Sequence, residues 1–396
     1  MIASSDSSNT LVSLQNGFKN AQGNHGATSE SSGYDMRRTE LYLPLDEYVD
    51  SSCDKDGFQK ESERAIYLPT SYPLDEYLKN SPEIMEACDE LLANPPRHFT
   101  RLSEERVLYI AQGEVGHAVP LQCDVIASGR ATTCHILALR SSSESGIPLT
   151  SLTHIDRACY ESSVRAMFYE HVSHHHSAIP QEEMKEDGLC DDSRILLDIH
   201  LVGGFEDESG SSRNLSCWIV CLLVQLSEEL KDTVRMTLKT CAVTSMNDNG
   251  RRCPIARGLG IDVRTGVPFI ARIDEDVMGP MPALRNARLL SVDGTDQLHV
   301  IHTAKSNEVK IEAFLYEPFA ELDQFLALPD YIMLHYWSTS PDVEEPDFCN
   351  FLRSTFRFVR DVECTRVFGK KVDQPVVFRR SGYSNKWSAI RSICYS

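Results

Sequence analysis

The stretch "ATTCHILALRSSSESGIPLTSLTHID", residues 131–156, reads as two extended segments around a polar loop. Residues 135–140 are short, apolar and rich in side chains that suit strands, and "LTSLTHID" again has an extended pattern. Between them "SSSESGIP" supplies serines, Gly146 and Pro148, the chemistry of a loose turn. The stretch therefore predicts a β-hairpin. With a loop at 141–147, cross-strand partners have residue numbers summing to 288, and Cys134 faces His154. Directly opposed positions share a face with Cβ atoms about 4.5–5.5 Å apart. His135, the sequence neighbour of the cysteine, points to the other face, because successive strand side chains alternate.

A cysteine and a histidine on one face can do nucleophilic chemistry. The imidazole takes the thiol proton and later returns it to a leaving amine, the requirement for acyl transfer from an amide. The hydroxyls of Thr132 and Thr133 and nearby N–H groups are candidate oxyanion donors, and Asp156 is a candidate to orient His154. Plainer readings exist for each. Cys134 can be an inert core thiol, the threonines can be there for strand propensity, and Asp156 can cap a helix over 156–172.

The rest of the chain sets the frame. Its 396 residues suffice for a large hydrophobic core, and thirteen cysteines, an odd and scattered set, read as reduced thiols of a cytosolic or nuclear protein. A formal net charge of −19 argues against nucleic acid as a partner, and no apolar run approaches the eighteen residues of a membrane span. A protein or small-molecule partner is the expectation. Residues 1–38 are rich in Ser, Asn, Gly and Asp and predict a disordered tail. Residues 39–65 form an extension in which "PLDEY" at 44–48 anticipates "PLDEY" at 73–77. The folded domain is expected to start near 66.

Beyond the hairpin, "SPEIMEACDELLANPP" predicts a helix that opens at Pro82, and "LSCWIVCLLVQLSEEL" at 215–230 predicts a buried one. Strands are expected in "RVLYIAQ", "ILLDIHLVGG", "MTLKTCAVT", "GLGIDVRTGVPFIARI", "QLHVIHT", "VKIEAFLY" and "PVVFRR", and further helices at 318–327 and 346–359. Strands and helices mix without strict βαβ alternation. That predicts an α+β layered sandwich with a largely antiparallel sheet. "HVSHHH" at 171–176 reads as part of a solvated loop rather than a metal site, since no distant ligand set matches it.

Taken in order, "ATTCH" (131–135), "LTHID" (152–156), "DIHLVGGFED" (198–207), "STSP" (338–341) and "FLRST" (351–355) resemble the protein N-terminal asparagine amidohydrolase family. "LYIAQGE" upstream of the cysteine and "EPF" at 317–319 add to the likeness. The resemblance implies an amidohydrolase domain over 66–396, an α/β/β sandwich with a Cys-His active site on the hairpin, and no metal or organic cofactor. It also implies deamidation of asparagine at a free protein N-terminus, with the product passing to arginylation and ubiquitin-dependent degradation in the N-degron pathway. Cys134 falls on the family's nucleophile, and His154 takes the role of base by inference. A substrate with a free α-ammonium calls for a carboxylate in the pocket, with Asp207, Asp156 and Glu114 as candidates. Gly203, Gly204 and Phe205 are candidates for close approach of the substrate backbone, although a plain turn explains the glycines as well. The departures are the first 65 residues, a histidine-bearing insertion at about 173–192 and a longer hairpin loop; they bear on partners and regulation. Two competing readings stay open: an interaction protein with altered or lost activity, and an amidase for N-terminal glutamine.

Overall fold

A computed structural model describes residues 74, 78, 80–144, 146–177, 194–291, 296–319, 321–382 and 385–390. The tail, the first "PLDEY" copy and most of the insertion at 173–192 lie outside them.

Helix α1 (Pro82–Ala93) starts with Pro82 in its first turn and buries Cys88 and Leu91. Then come β1 (Arg97–Phe99), β2 (Val107–Tyr109), β3 (Glu114–Ala118), β4 (Val125–Ser128), β5 (His135–Ser142) and β6 (Leu149–Ile155). The helix α2 (Glu161–His176) leads to β7 (Ile195–Gly203), α3 (Ser211–Glu229), β8 (Val234–Val243), β9 (Leu259–Asp262) and β10 (Pro268–Ile273). The chain continues through α4 (Pro282–Ala287), β11 (His299–His302), β12 (Glu308–Ile311), α5 (Leu322–Ala327), α6 (Asp330–Trp337), α7 (Phe348–Asp361), α8 (Cys364–Phe368), β13 (Val376–Arg380) and β14 (Trp387–Ala389).

These strands form three sheets. One has six strands in the order β11-β3-β6-β5-β7-β8, one has five in the order β1-β10-β9-β4-β2, and a small one joins β12, β13 and β14. The centre of the six-stranded sheet is antiparallel, and its outer pairs, β11 with β3 and β7 with β8, are parallel. The fold is thus α+β with mixed sheets.

Strand alternation explains the layering. Leu137 and Leu139 of β5, with Leu197, Ile199 and Leu201 of β7, pack against Phe168 of α2 and Leu215, Ile219 and Leu223 of α3. Ile136 and Ala138 point the opposite way and meet Leu108, Ile126, Leu259 and Ile261 of the five-stranded sheet. Helices therefore cover one face of the six-stranded sheet and a second sheet covers the other. Cys134 packs against the inter-sheet cluster, while His135 turns to the helix side, where its Nε2 bonds Ser216 Oγ of α3 at 2.6 Å.

The hairpin is present with a corrected register. Ile136 pairs with His154 and Ser141 with Leu149, so partners sum to 290 instead of 288. Cys134 does not face His154 directly. The cause is that β5 runs on through Ser141 and Ser142, which also pair with Leu197 and Leu196 of β7. Ser141 Oγ is moreover held by His171 Nδ1 at 2.6 Å and His175 Nε2 at 2.8 Å. A polar residue with two imidazole partners stays in the strand although its composition suggests a turn. Because the register moved by two, the face is preserved.

Those same histidines correct the reading of "HVSHHH". The helix does not stop near 172 but runs to His176, with His171 and His175 buried on its inner face. It also begins later than expected, after Tyr160, so Asp156 is not its cap.

Candidate functional site

Cys134 occupies a bend just before β5, anchored on three sides. Ala131 N–H donates to the Arg257 carbonyl at 2.9 Å, Thr133 Oγ1 lies 2.8 Å from Thr339 Oγ1, and Gly204 N–H donates to the Cys134 carbonyl at 3.0 Å. The double glycine at the end of β7 makes the last contact available. At φ +139°, a Cβ on Gly203 would stand 2.3 Å from the Cys134 carbonyl oxygen, and one on Gly204 (φ +64°) would meet the His135 ring at 2.8 Å. Gly203 therefore admits the backbone of the cysteine itself and Gly204 the ring of His135, which is why glycine is required at both. Phe205, expected beside the substrate, is buried.

His154 lies on β6, on the inter-sheet face with Ile136, its register partner. Its Nδ1 is 2.9 Å from Ser128 Oγ at the end of β4, so the imidazole is tethered across the two sheets. Its Nε2 is buried and has no hydrogen-bond partner among the described residues. Burial pushes the ring down to about 4, with the charges of Asp156 and Glu114 opposing in part, so His154 is neutral at pH 7. The Cys134 thiol is pushed up, first by burial and then by the negative charges of Asp156 and Glu344; Arg157 and a hydrogen bond with Thr133 act the other way. Both groups rest uncharged.

The carboxylates divide clearly. Asp156 accepts hydrogen bonds from Gln112 Nε2 and Tyr160 Oη, each at 2.8 Å, and from Arg157 at 2.9 Å. Burial works to raise its carboxyl, and these donors, Arg157 first, outweigh it and hold it below the usual range. Asp207 Oδ1 accepts from Ser212 N–H at 2.8 Å and Oδ2 from Ser211 N–H at 3.0 Å, at the start of α3. Its position is that of a helix-capping group. Glu114 is clamped by Arg285, whose Nε reaches Oε1 at 2.9 Å, and it also accepts Ala111 N–H at 2.8 Å. Its charge is compensated inside the protein, so of the three amine-reading candidates Glu114 and Asp207 are occupied by structural partners.

A fourth carboxylate, which sequence reasoning missed, stands beside the "TTC" segment. Glu344 Oε1 accepts from Ser338 Oγ at 2.5 Å and lies 3.5 Å from both Thr132 Oγ1 and Ser340 Oγ. Ser128, Gln112, Tyr160 and Arg157 were missed as well. The only signal for Ser128 was a lone hydroxyl closing the apolar run "VIAS".

The motifs separated in sequence thus meet in space. "STSP" supplies Thr339 to Thr133 and Ser338 to Glu344, and "FLRST" supplies Phe351, whose ring lies 4.5 Å from the Arg130 guanidinium. Residues 97–389 match the family described as protein N-terminal asparagine amidohydrolase. The chain belongs to that family. It is 30% identical to the mouse protein N-terminal asparagine amidohydrolase over 265 residues, which is 66% of this chain and 76% of the relative. The pig protein of the same name is 30% identical over 271 residues, again 66% and 76% of the two chains. A plant member, from Arabidopsis thaliana, is 26% identical over 306 residues, covering 70% of this chain and 80% of its own. The family span includes the hairpin, the double glycine and the Glu344 segment, and it begins beyond both "PLDEY" copies.

Proposed function

We propose that the protein is a cysteine-dependent amidohydrolase that converts asparagine at a free protein or peptide N-terminus to aspartate and releases ammonia. The observation that carries this reading is that two resting, uncharged groups lie on one inter-sheet face, Cys134 two residues before Ile136, the register partner of His154. One is the thiol of a half-buried cysteine whose backbone is held by Gly203 and Gly204; the other is an imidazole tethered through Nδ1, with Nε2 unpaired among the described residues. Family membership supplies the substrate class.

In the proposed reaction His154 Nε2 takes the Cys134 proton as Sγ bonds to the side-chain carboxamide carbon. The oxyanion is met by N–H groups near Cys134, flanked by the hydroxyls of Thr133 and Thr132, which already have partners in Thr339 and Glu344. The C–N bond then breaks, and ammonia departs with the proton returned by His154. A water deprotonated by the same imidazole hydrolyses the thioester, giving aspartate and restoring the thiol. The reaction requires Nδ1–H to donate to Ser128 Oγ, which leaves Nε2 basic, and Asp156 sits nearby as a buried negative charge. No cofactor enters these steps. The aspartyl product is a substrate for arginylation and ubiquitin-dependent degradation, in a cytosolic or nuclear compartment where free thiols persist.

The test is ammonia release from an Asn-initiated peptide by the full chain and by Cys134→Ala, with Gln-initiated and N-acetyl-Asn peptides alongside. Turnover confined to the free Asn start and lost in the variant is expected. Full turnover by Cys134→Ala overturns the nucleophile, and turnover of the Gln start alone overturns the substrate.

A further inference from the structure

Upstream of α1, Leu74 and Leu78 are both helical and stand four residues apart. Leu78 is 1% exposed and belongs to the apolar cluster that Leu137 of β5, Phe168 of α2 and Ile219 of α3 build on the helix side of the six-stranded sheet. Leu74 is half-buried and packs against the same cluster. Side chains four apart share one face of a helix, so the two leucines act together as an anchor with two points. The Leu78 carbonyl then accepts from Ser81 N–H at 3.1 Å, and α1 begins at Pro82. This anchor is seated in the core although it precedes residue 97, where the family match starts.

The anchor leucines belong to "PLDEYL" at 73–78, and "PLDEYV" at 44–49 repeats that segment with Leu45 in the place of Leu74 and Val49 in the place of Leu78. Only the last residue differs, and it exchanges one aliphatic side chain for a smaller one. We infer that the seat of Leu74 and Leu78 is an exchangeable docking site, and that segment 44–49 of the same chain is its second occupant. Reach permits the exchange: a coil as long as the stretch from Leu45 to Leu74 has a root-mean-square span of about 30 Å. A tethered competitor at that span is present at an effective concentration of about millimolar order. Val49 lacks one methylene of Leu78, which weakens it about fourfold at a fully buried point. Segment 73–78 also runs directly into α1, so it is the resting occupant. The duplication keeps the seat filled when 73–78 is withdrawn, and one copy can then be held by a partner while the core stays closed.

The experiment follows amide hydrogen exchange of segments 41–52 and 70–81 in the full chain, together with its melting temperature, at two protein concentrations. Leu74→Ala combined with Leu78→Ala weakens the resting anchor; Leu74→Asp alone, at the half-buried point, is the second variant should the first fail to fold. In either variant, segment 44–49 is expected to gain about 10-fold or more in protection as 73–78 loses its own. Leu45→Asp with Val49→Asp should leave the melt of the otherwise unaltered chain within about 1 °C and lower that of the weakened variant by a further 2–4 °C or so, about the shift of one lost contact. Exchange of 44–49 that does not change in either variant, or a weakened variant whose melt the Leu45 and Val49 changes do not lower, overturns the inference. Protection of 44–49 that rises with protein concentration overturns it as well, because the occupant then comes from a second copy of the chain.

Discussion

Gly203 and Cys134 approach so closely that a single methyl group on the glycine would lie 2.3 Å from the cysteine carbonyl oxygen. The contact is backbone to backbone, so no side-chain rotation can relieve it. It fixes the bend that carries the thiol to the end of the neighbouring strand.

Gly203→Ala is therefore expected to cost about 3 kcal/mol or more, through a strained positive φ and a clash with backbone. Gly210→Ala is the comparator, because Gly210 has φ +70° and no atom within 4 Å of an added Cβ. Its cost should stay near 1 kcal/mol. Urea unfolding of the two variants measures the difference, and equal midpoints would remove the role given to Gly203.

Ser128→Ala removes the group that tethers His154 from the opposite sheet. Both ring nitrogens would then be buried without a partner, at a stability cost of about 1–3 kcal/mol. Because the tether selects the basic tautomer, kcat on an Asn-initiated peptide should fall about 10- to 100-fold with KM nearly constant. Steady-state kinetics decide it: an unchanged kcat would mean that Ser128 holds the sheets together without orienting the base.

Acid should unfold this protein earlier than its carboxylates alone would predict. His117, His154, His175, His200 and His302 are pushed down by burial to about 4, His135 to about 3, and His171 well below its ordinary range. An unfolded histidine titrates near 6.5, so below that pH the unfolded chain binds more protons than the native one. Stability is complete above about pH 6.5 and falls steeply toward pH 4. Asp156 and Asp207, held below the usual carboxylate range, weaken only at lower pH. Thermal melts from pH 7.5 to 4.5 should drop from about 6.5 downward; a flat melting temperature to 4.5 would contradict the neutral burial of these rings.

What could be read from sequence follows from where the side chains make periodic patterns. The helix of 215–230, the strands of 135–140 and 195–204, and the side of the hairpin on which Cys134 and His154 lie were legible, because apolar alternation fixes faces. The exact pairing was not, because Ser141 looks like turn chemistry until the histidines of α2 are seen to hold it in the strand. Strand β3, "EVGHA", gave no signal at all; its buried Glu114 and His117 are tolerated only through Arg285 and Ser151. Glu344 stayed hidden for a related reason. It lies more than two hundred residues from Thr132 in an acidic loop whose neighbours Asp342, Glu345 and Asp347 read alike in sequence.

Arg285 reaches three walls of the molecule at once. From α4 it grips Glu114 in the six-stranded sheet, donates to the Tyr109 carbonyl of the five-stranded sheet at 2.8 Å, and donates to the Met278 carbonyl at 2.7 Å. The proposed base and its tether, His154 and Ser128, belong to those same two sheets. The spacing between layers, about 10 Å in stacked sheets, is thus a catalytic dimension as well as a structural one. A guanidinium with no part in the proposed chemistry works as the spacer that sets how far Ser128 stands from the imidazole it tethers.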